Sequence, residues 1–202
     1  NLIQFGIRRP AIWNMNTFKI IKNTKCGIIT PGSLINSKLK IKIQEQKNLI
    51  TKQISELYQH DEILSQYFSY EGYSFWCAIK PIIQKLFEKR TEHIVRDIQT
   101  IKALFQKITI DTAVIPSEIG ITEQIVINES KKHGIKLALL QHGIYYDTKE
   151  AKETNLSKGL YPVKSDKFLI WGKVSESDSK NNGFIEPTKL KIIGHPGYDS
   201  WK

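Results

Sequence analysis

The triplet Gln141-His142-Gly143 contains the residue types best suited to proton-transfer chemistry in this sequence. It directly follows the apolar run KLALL, which is typical of a buried strand. A histidine side chain exchanges protons near neutral pH, and a neighbouring glycine lets backbone and ligand approach closely. One interpretation is that the strand positions the His142 imidazole to face a cleft. The alternative is a histidine that only caps the strand by hydrogen bonding.

Two later apolar runs end in a similar way. Trp171-Gly172 closes the run that begins at Asp166, and Gly194-His195-Pro196-Gly197 closes the last one. Glycine and proline are ordinary turn residues after strands, but their recurrence indicates a shared edge, where parallel sheets bind ligands. We therefore expect His142 and His195 to face one cleft.

Other catalytic signatures are absent from the sequence, including the GxxxxGK[ST] phosphate loop, GxGxxG, HExxH and GxSxG. The remaining histidines and both cysteines lack metal-ligand spacing, so we expect no metal site. These residues are His60, His93, His133, Cys26 and Cys77. Four lysines after His142 would attract an anionic substrate, although such lysines are more often solvated surface residues: Lys149, Lys152, Lys158 and Lys164.

The elements that position these residues are predicted from the apolar pattern. Continuous apolar runs in DTAVIP, IKLALLQ, DKFLIWG and LKIIG predict four strands, each covered on both faces. Helical spacing over ITEQIVINESKKHG and a shorter helix over WGKVSESDSKNNGF predict crossovers between parallel strands. The fold class is therefore α/β, with helices on both faces of the sheet.

The first half of the chain reads differently. Residues 31–108 are predicted to be mainly helical, with a long or broken helix from Leu34 to Ser69 and a second from Phe75 to Lys107. Pro81 is expected to kink the second helix or mark its first turn. FKIIKN and CGIIT are the candidate strands of this half. Residues 110–196 are predicted to form β-α-β units, and we interpret residues 1–202 as a single domain.

The chain has 202 residues and a formal net charge of +10, which would suit nucleic acid, anionic lipid or an anionic substrate. The lysines are scattered, so a solvated basic surface is the simpler interpretation. No run approaches the roughly 18 apolar residues that a membrane span needs. We expect a cytoplasmic protein, since the cysteines indicate no disulfide framework. The first residue is Asn1, which suggests a fragment of a longer chain.

The ordered motifs resemble a known family. The segments KKHGIKLALLQHG, SDKFLIWG, NNGF and LKIIGHPGYD, in this order, resemble GT-B glycosyltransferases of surface-polysaccharide synthesis. They are also similar to the related CDP-glycerol glycerophosphotransferases. YEGYSFWCAIKPIIQKLF resembles the family's aromatic and glycine segment ahead of a long helix. The resemblance covers roughly residues 65 to 200, and the order of the motifs is more specific than any one of them.

The resemblance implies a two-domain transferase with Rossmann-like halves and an active site in the cleft between them. This chain would be the acceptor-side, N-terminal half, inactive alone, and a donor-binding half of about 150 residues would follow it. His195 stands where the family has a small residue, and Gly197 and Tyr198 stand where arginine is common. The TPLK sequence of the glycerophosphotransferases is absent, which favours a sugar as the transferred group.

The predicted function is transfer of a sugar from a nucleotide-activated donor to a hydroxyl of a surface glycan or lipid-linked acceptor. His142 would be the general base, and Gln141 would orient its ring or bind the acceptor. The other expected substrate-binding residues are Gly143, Trp171, Gly172, Gly194, His195, Pro196 and Asp199. No cofactor or metal is expected, because such enzymes usually stabilise the leaving phosphate with side chains and helix dipoles.

Three alternatives stay open. The first is a glycerophosphotransferase, and the second is a sugar-nucleotide epimerase of related build. The third is a basic module that binds nucleic acid, although no helix-turn-helix spacing, RNP-like aromatic strand or arginine cluster supports specific recognition. The basic surface could also hold the enzyme against an anionic membrane on the inner face of the cell, where each lysine near the surface would contribute about 1 kcal/mol.

Overall fold

The computed structural model describes residues 14–143, 148, 150 and 161–195, together with the backbone of Ile3–Phe5. The chain divides into two compact units, Asn1–Leu104 and Phe105–Lys202. The first unit holds most of the helices, and the second holds a four-stranded parallel sheet.

The first unit begins with a two-stranded parallel sheet. Strand β1 is Ile3–Phe5 and strand β2 is Gly27–Ile29, with Ile3 opposite Gly27. The strand predicted in CGIIT is therefore confirmed as β2.

The strand predicted in FKIIKN is wrong, because these residues lie in helix α1, Met15–Thr24. The Asn14 side chain accepts a hydrogen bond from the Thr17 backbone N–H at 2.8 Å and so satisfies a free donor at the helix start. The helix ends at Lys25, which has a left-handed φ of 50°. Both ends are set by capping, which outweighs the β-branched residues between them.

Four further helices complete the first unit: α2 Pro31–Leu34, α3 Ser37–Leu57, α4 Asp61–Tyr67 and α5 Trp76–Lys107, which continues past Leu104. The broken version of the first predicted helix is confirmed, since α3 and α4 are separate. Asn36 caps α3 by accepting the Leu39 backbone N–H at 2.8 Å. Pro81 lies in the second turn of α5, so the alternative that it marks the first turn is wrong.

The aromatic segment before α5 forms a short hairpin. Strand β3 is Ser69–Tyr70 and strand β4 is Tyr73–Ser74, paired antiparallel. Glu71 and Gly72 form the turn with φ values of 49° and 83°. Two consecutive positive φ values match the twist of the hairpin strands.

The second unit contains the four strands that the sequence predicts: β5 Thr112–Ile115, β6 Lys136–Leu140, β7 Lys167–Ile170 and β8 Leu190–Ile192. They are all parallel and lie in the order β5-β6-β7-β8. The predicted helices are α6, Ile121–Lys132, and α7, Lys173–Asn181. An α/β unit with a parallel sheet flanked by helices is therefore confirmed, and it is compatible with a Rossmann-like fold.

Helix α6 packs against one face of the sheet. That face carries a buried cluster in which Ile127 of α6 meets alternate strand residues: Ile115, Leu137, Leu139, Phe168 and Ile170. Tyr161 belongs to the same cluster, and its hydroxyl donates to the Asp178 carboxylate of α7 at 2.7 Å. The sheet is therefore flanked by helices, and α7 is joined to the same cluster through Tyr161.

Candidate functional site

The predicted site residues follow three of the four parallel strands, which all end at one edge of the sheet. Strands β6, β7 and β8 end at Leu140, Ile170 and Ile192. The backbone hydrogen bonds continue one residue further, because Gln141 N–H donates to the Leu169 carbonyl and Ile193 N–H to the Ile170 carbonyl, both at 2.9 Å. The residues that follow these strands are therefore presented together, at the edge where open parallel sheets bind ligands.

Gln141 is buried and connects the ends of two strands. Its side-chain oxygen accepts the Trp171 backbone N–H at 2.9 Å, and its side-chain nitrogen donates to the Gly143 carbonyl at 2.9 Å. One side-chain amide therefore fixes the backbone on both sides of His142 relative to the end of β7. These two hydrogen bonds indicate that Gln141 positions the backbone of His142.

His142 is exposed, although Gln141 beside it is buried. Within the described part of the chain, no hydrogen bond or ion pair engages its imidazole ring. Capping of the strand by this side chain therefore has no support among the described contacts. The His142 imidazole is therefore exposed on a stretch of backbone that the Gln141 side chain fixes.

Trp171 and His195 form a ring pair at the ends of β7 and β8. Their ring centroids lie 4.1 Å apart with the planes at 83°, an edge-to-face contact, and both residues are half-buried. Gly194, with a left-handed φ of +81°, turns the chain immediately before His195. Strand β7 lies between His142 and His195, so two strand spacings, about 10 Å, separate their backbones across the sheet.

The glycines at this edge border open space. A Cβ atom added to Gly143 or Gly172 would have no atom outside the neighbouring residues within 4 Å. Gly172 has extended backbone with φ −175°, so its conformation does not require glycine. The protein atoms around both positions therefore leave room for a ligand.

Some predicted site residues lie outside the described residues: Pro196, Asp199, Lys149, Lys152 and Lys158. Lys164 is described, and its ammonium group donates to the side-chain oxygen of Gln124 in α6. Its side chain is therefore held beside α6.

Glu118 is a buried residue that no sequence motif marks as part of a site. One carboxylate oxygen accepts the backbone N–H groups of Val163 and Lys164, each at 2.9 Å, and the other accepts that of Ser165 at 2.8 Å. Three charge-assisted bonds tie the residues before β7 to those after β5. The only local signal was an acidic residue in the turn-like PSEIG, which does not reveal such distant partners.

Within the described part of the chain, no group of three or more histidine, cysteine, aspartate or glutamate residues could hold a metal ion. Across the same residues, none of the helices combines the length and apolar character needed to cross a membrane.

Comparisons with known proteins give no relative for this chain. No family model matches the sequence, and neither curated proteins nor solved structures give a significant match.

Proposed function

We propose that this chain is the acceptor-binding half of a GT-B type glycosyltransferase. The enzyme moves a sugar from a nucleotide-activated donor to a hydroxyl of a surface glycan or lipid-linked acceptor. The observation that carries the proposal is the exposed His142 imidazole at the carboxyl edge of a parallel sheet, on a backbone fixed by buried Gln141. The order of motifs given above supports the same assignment.

In the proposed reaction, the acceptor hydroxyl attacks the anomeric carbon of the donor sugar and forms the new glycosidic bond. The bond from that carbon to the nucleotide phosphate breaks, and the phosphate leaves with the bonding electrons. His142 takes the proton from the attacking hydroxyl. General-base catalysis of this kind contributes roughly 100- to 10,000-fold to the rate.

The neighbouring residues have supporting roles in this proposal. Gln141 positions the His142 backbone through Gly143 and Trp171, and a rigid support of this kind keeps a catalytic group in its productive geometry. The ring pair of Trp171 and His195 offers an aromatic surface beside the acceptor. Gly143, Gly172 and Gly194 leave space along the edge. Pro196 and Asp199 stay predictions from the sequence.

The test uses the protein encoded by the complete open reading frame. Release of nucleotide is measured against a panel of nucleotide sugars and CDP-glycerol, with and without candidate acceptors. We expect acceptor-dependent release from a nucleotide sugar and a loss of at least about 100-fold in His142→Ala. His93→Ala is the matched control, because His93 is also exposed but lies in the middle of α5.

The outcomes of this assay distinguish the proposed transferase from the alternatives. Near-normal turnover in a folded His142→Ala protein would contradict the catalytic role. Release from CDP-glycerol alone would indicate transfer of glycerol phosphate, and an altered sugar nucleotide without an acceptor would indicate an epimerase. No release from any donor would contradict the transferase proposal. Nucleic-acid binding would then be measured by fluorescence anisotropy at two salt concentrations.

A further inference from the structure

Helices α3 and α5 of the first unit run antiparallel, since side-chain contacts join Gln46 to Gln99, Lys47 to Glu92 and Tyr58 to Trp76. At one end, the Lys47 ammonium group binds the Glu92 carboxylate at 2.8 Å. At the other end, the Tyr58 and Trp76 rings stack with centroids 5.9 Å apart. Tyr58 follows Lys47 by eleven residues, which corresponds to about 16 Å of helix. The Lys47 and Tyr58 contacts therefore lie about three turns apart along α3.

An apolar groove of about 530 Å³ lies between these two helices. Its apolar lining consists of Ile50 and Ile54 from α3 and Leu86, Phe87, Ile94 and Val95 from α5. Val95 at the bottom is 1% exposed, whereas Leu86 and Phe87 are 50% and 46% exposed. An apolar surface of this kind that stays open to solvent is typical of a binding site.

The groove also has a cation at its edge. Arg90 belongs to the lining and is exposed. Among the residues that the structure describes, no carboxylate pairs with its guanidinium group. The nearby Glu92 carboxylate binds Lys47 at 2.8 Å and lies 3.8 Å from Arg96. An arginine without an acidic partner at the edge of an apolar groove is suited to an anionic group.

We propose that the groove binds the apolar chain of an amphiphile whose anionic headgroup pairs with Arg90. The apolar lining takes the chain, and charge complementarity selects the headgroup. A lipid-linked acceptor with a phosphate at its head has this chemistry. That identification rests on the proposed function, whereas the binding site itself does not.

The experiment measures binding of monomeric dodecyl phosphate to the 202-residue chain by calorimetry, below the concentration at which the ligand forms micelles. Decyl and octyl phosphate form a chain-length series. We expect each removal of two methylene groups to weaken binding by roughly tenfold. Inorganic phosphate alone should not bind measurably. The series uses the unchanged protein and so does not depend on any variant folding.

Two pairs of variants test the two parts of the site. Ile50→Glu places a charge in the groove and should weaken dodecyl phosphate by more than tenfold. Leu49→Glu is its control, because the neighbouring Leu49 is 57% exposed and outside the lining. The unchanged protein should prefer dodecyl phosphate to neutral dodecyl maltoside by about fivefold. Arg90→Gln should remove this preference, and Lys89→Gln, which alters an exposed cation outside the lining, should keep it.

Several results would overturn the proposal. The first is an absence of binding, or equally an affinity that does not change with chain length. The second is binding to vesicles of anionic lipid without binding to monomeric dodecyl phosphate, which would indicate attachment to a membrane surface. The third is a dimer that Ile50→Glu dissociates, which would make a second copy the occupant. Because the assay needs no turnover, its failure and the failure of the transferase proposal are separate results.

Discussion

The side-chain oxygen of Gln141 accepts the backbone N–H of Trp171 at 2.9 Å, and this bond joins the carboxyl ends of β6 and β7. The nitrogen of the same amide donates to the Gly143 carbonyl. The residues on both sides of His142 are therefore fixed by a single buried side chain. Stability of the sheet edge and geometry of the candidate catalytic residue depend on the same contact.

Substitution of Gln141 should destabilise the second unit. In Gln141→Ala, the Trp171 N–H and the Gly143 carbonyl lose their partner, and a buried polar group left unpaired costs about 1 to 3 kcal/mol. Urea unfolding followed by circular dichroism measures this loss. Gln106→Ala is the control, because Gln106 is exposed, and its change should stay within about 0.5 kcal/mol. Equal stability of the two variants would contradict the bridging role.

Glu118 should be important for holding the residues that precede β7. Glu118→Ala leaves the N–H groups of Val163, Lys164 and Ser165 without their acceptor, and we expect a loss of roughly 3 kcal/mol. Hydrogen exchange should show reduced protection of these three amides. In Glu186→Ala, which alters an exposed acid of the same unit, their protection should not change. Unaltered exchange in the Glu118 variant would show that the carboxylate is dispensable.

Gly183 should not tolerate a larger residue. An added Cβ atom would lie 2.7 Å from a ring carbon of Tyr161 and 2.9 Å from the Ser179 carbonyl oxygen. Because the backbone cannot move aside freely, overpacking in Gly183→Ala should cost about 2 kcal/mol. Thermal unfolding checks this. Gly172→Ala is the matched control, since a Cβ atom there meets nothing within 4 Å, and an equal loss in both variants would contradict the steric explanation.

Gly143 and Gly194 should respond differently to alanine. Gly194 has a left-handed φ of +81°, so Gly194→Ala should lose about 1 kcal/mol of stability through backbone strain. Gly143 borders open space, so Gly143→Ala should keep its stability. If an acceptor approaches at this position, the Gly143 variant should show a raised KM in the nucleotide-release assay. A folded variant with unchanged kinetics would exclude close approach of substrate there.

The first unit should lose stability in acid partly through Asp61. Two hydrogen bonds hold the pKa of the Asp61 carboxyl below its ordinary value of 3.8: the one from Lys80 has the larger effect, and the one from Trp76 has the smaller. A lowered pKa in the folded state gives stability that is present above the ordinary value and is lost as pH falls through the folded value. Asp61→Asn should therefore be less stable than the unchanged protein at neutral pH. At pH values below the folded-state pKa of Asp61, the difference in stability between Asp61→Asn and the unchanged protein should become smaller.

The control for this prediction is Glu62→Gln. Glu62 is the next residue of the same helix, is exposed, and makes no described bond to Lys80 or Trp76. Urea midpoints are compared for the three proteins across a series of acidic pH values. A constant difference between Asp61→Asn and the unchanged protein at every pH would contradict the linkage.

The strands of the second unit could be predicted because each is a continuous apolar run bounded by turn residues. Burial explains this pattern, as Leu137, Leu139, Phe168 and Ile170 all belong to the core cluster. FKIIKN shows the limit of the same reasoning. Its residues have high strand propensity, but the Asn14 cap and the left-handed Lys25 select a helix. In this segment, the capping residues at the two ends outweigh the strand propensity of the residues between them.

The polar contacts of the candidate site could be predicted less well. The sequence placed Gln141 and His142 at a strand end, and the structure places them there. The partner of Gln141 lies 30 residues later, and the partners of Glu118 lie 45 to 47 residues later. Such pairings depend on the register between strands, which a single sequence does not specify. The GT-B assignment and the role of His142 stay predictions.

The strand order of the second unit has a consequence for synthesis. Each strand from β6 onwards pairs with the strand that precedes it in the chain. As the ribosome delivers the polypeptide from its N-terminus, every new strand therefore finds its neighbour already made. Strand β5 and helix α6 can dock with β6 before β7 exists. The nascent sheet then grows in one direction, and no earlier strand has to separate to admit a later one.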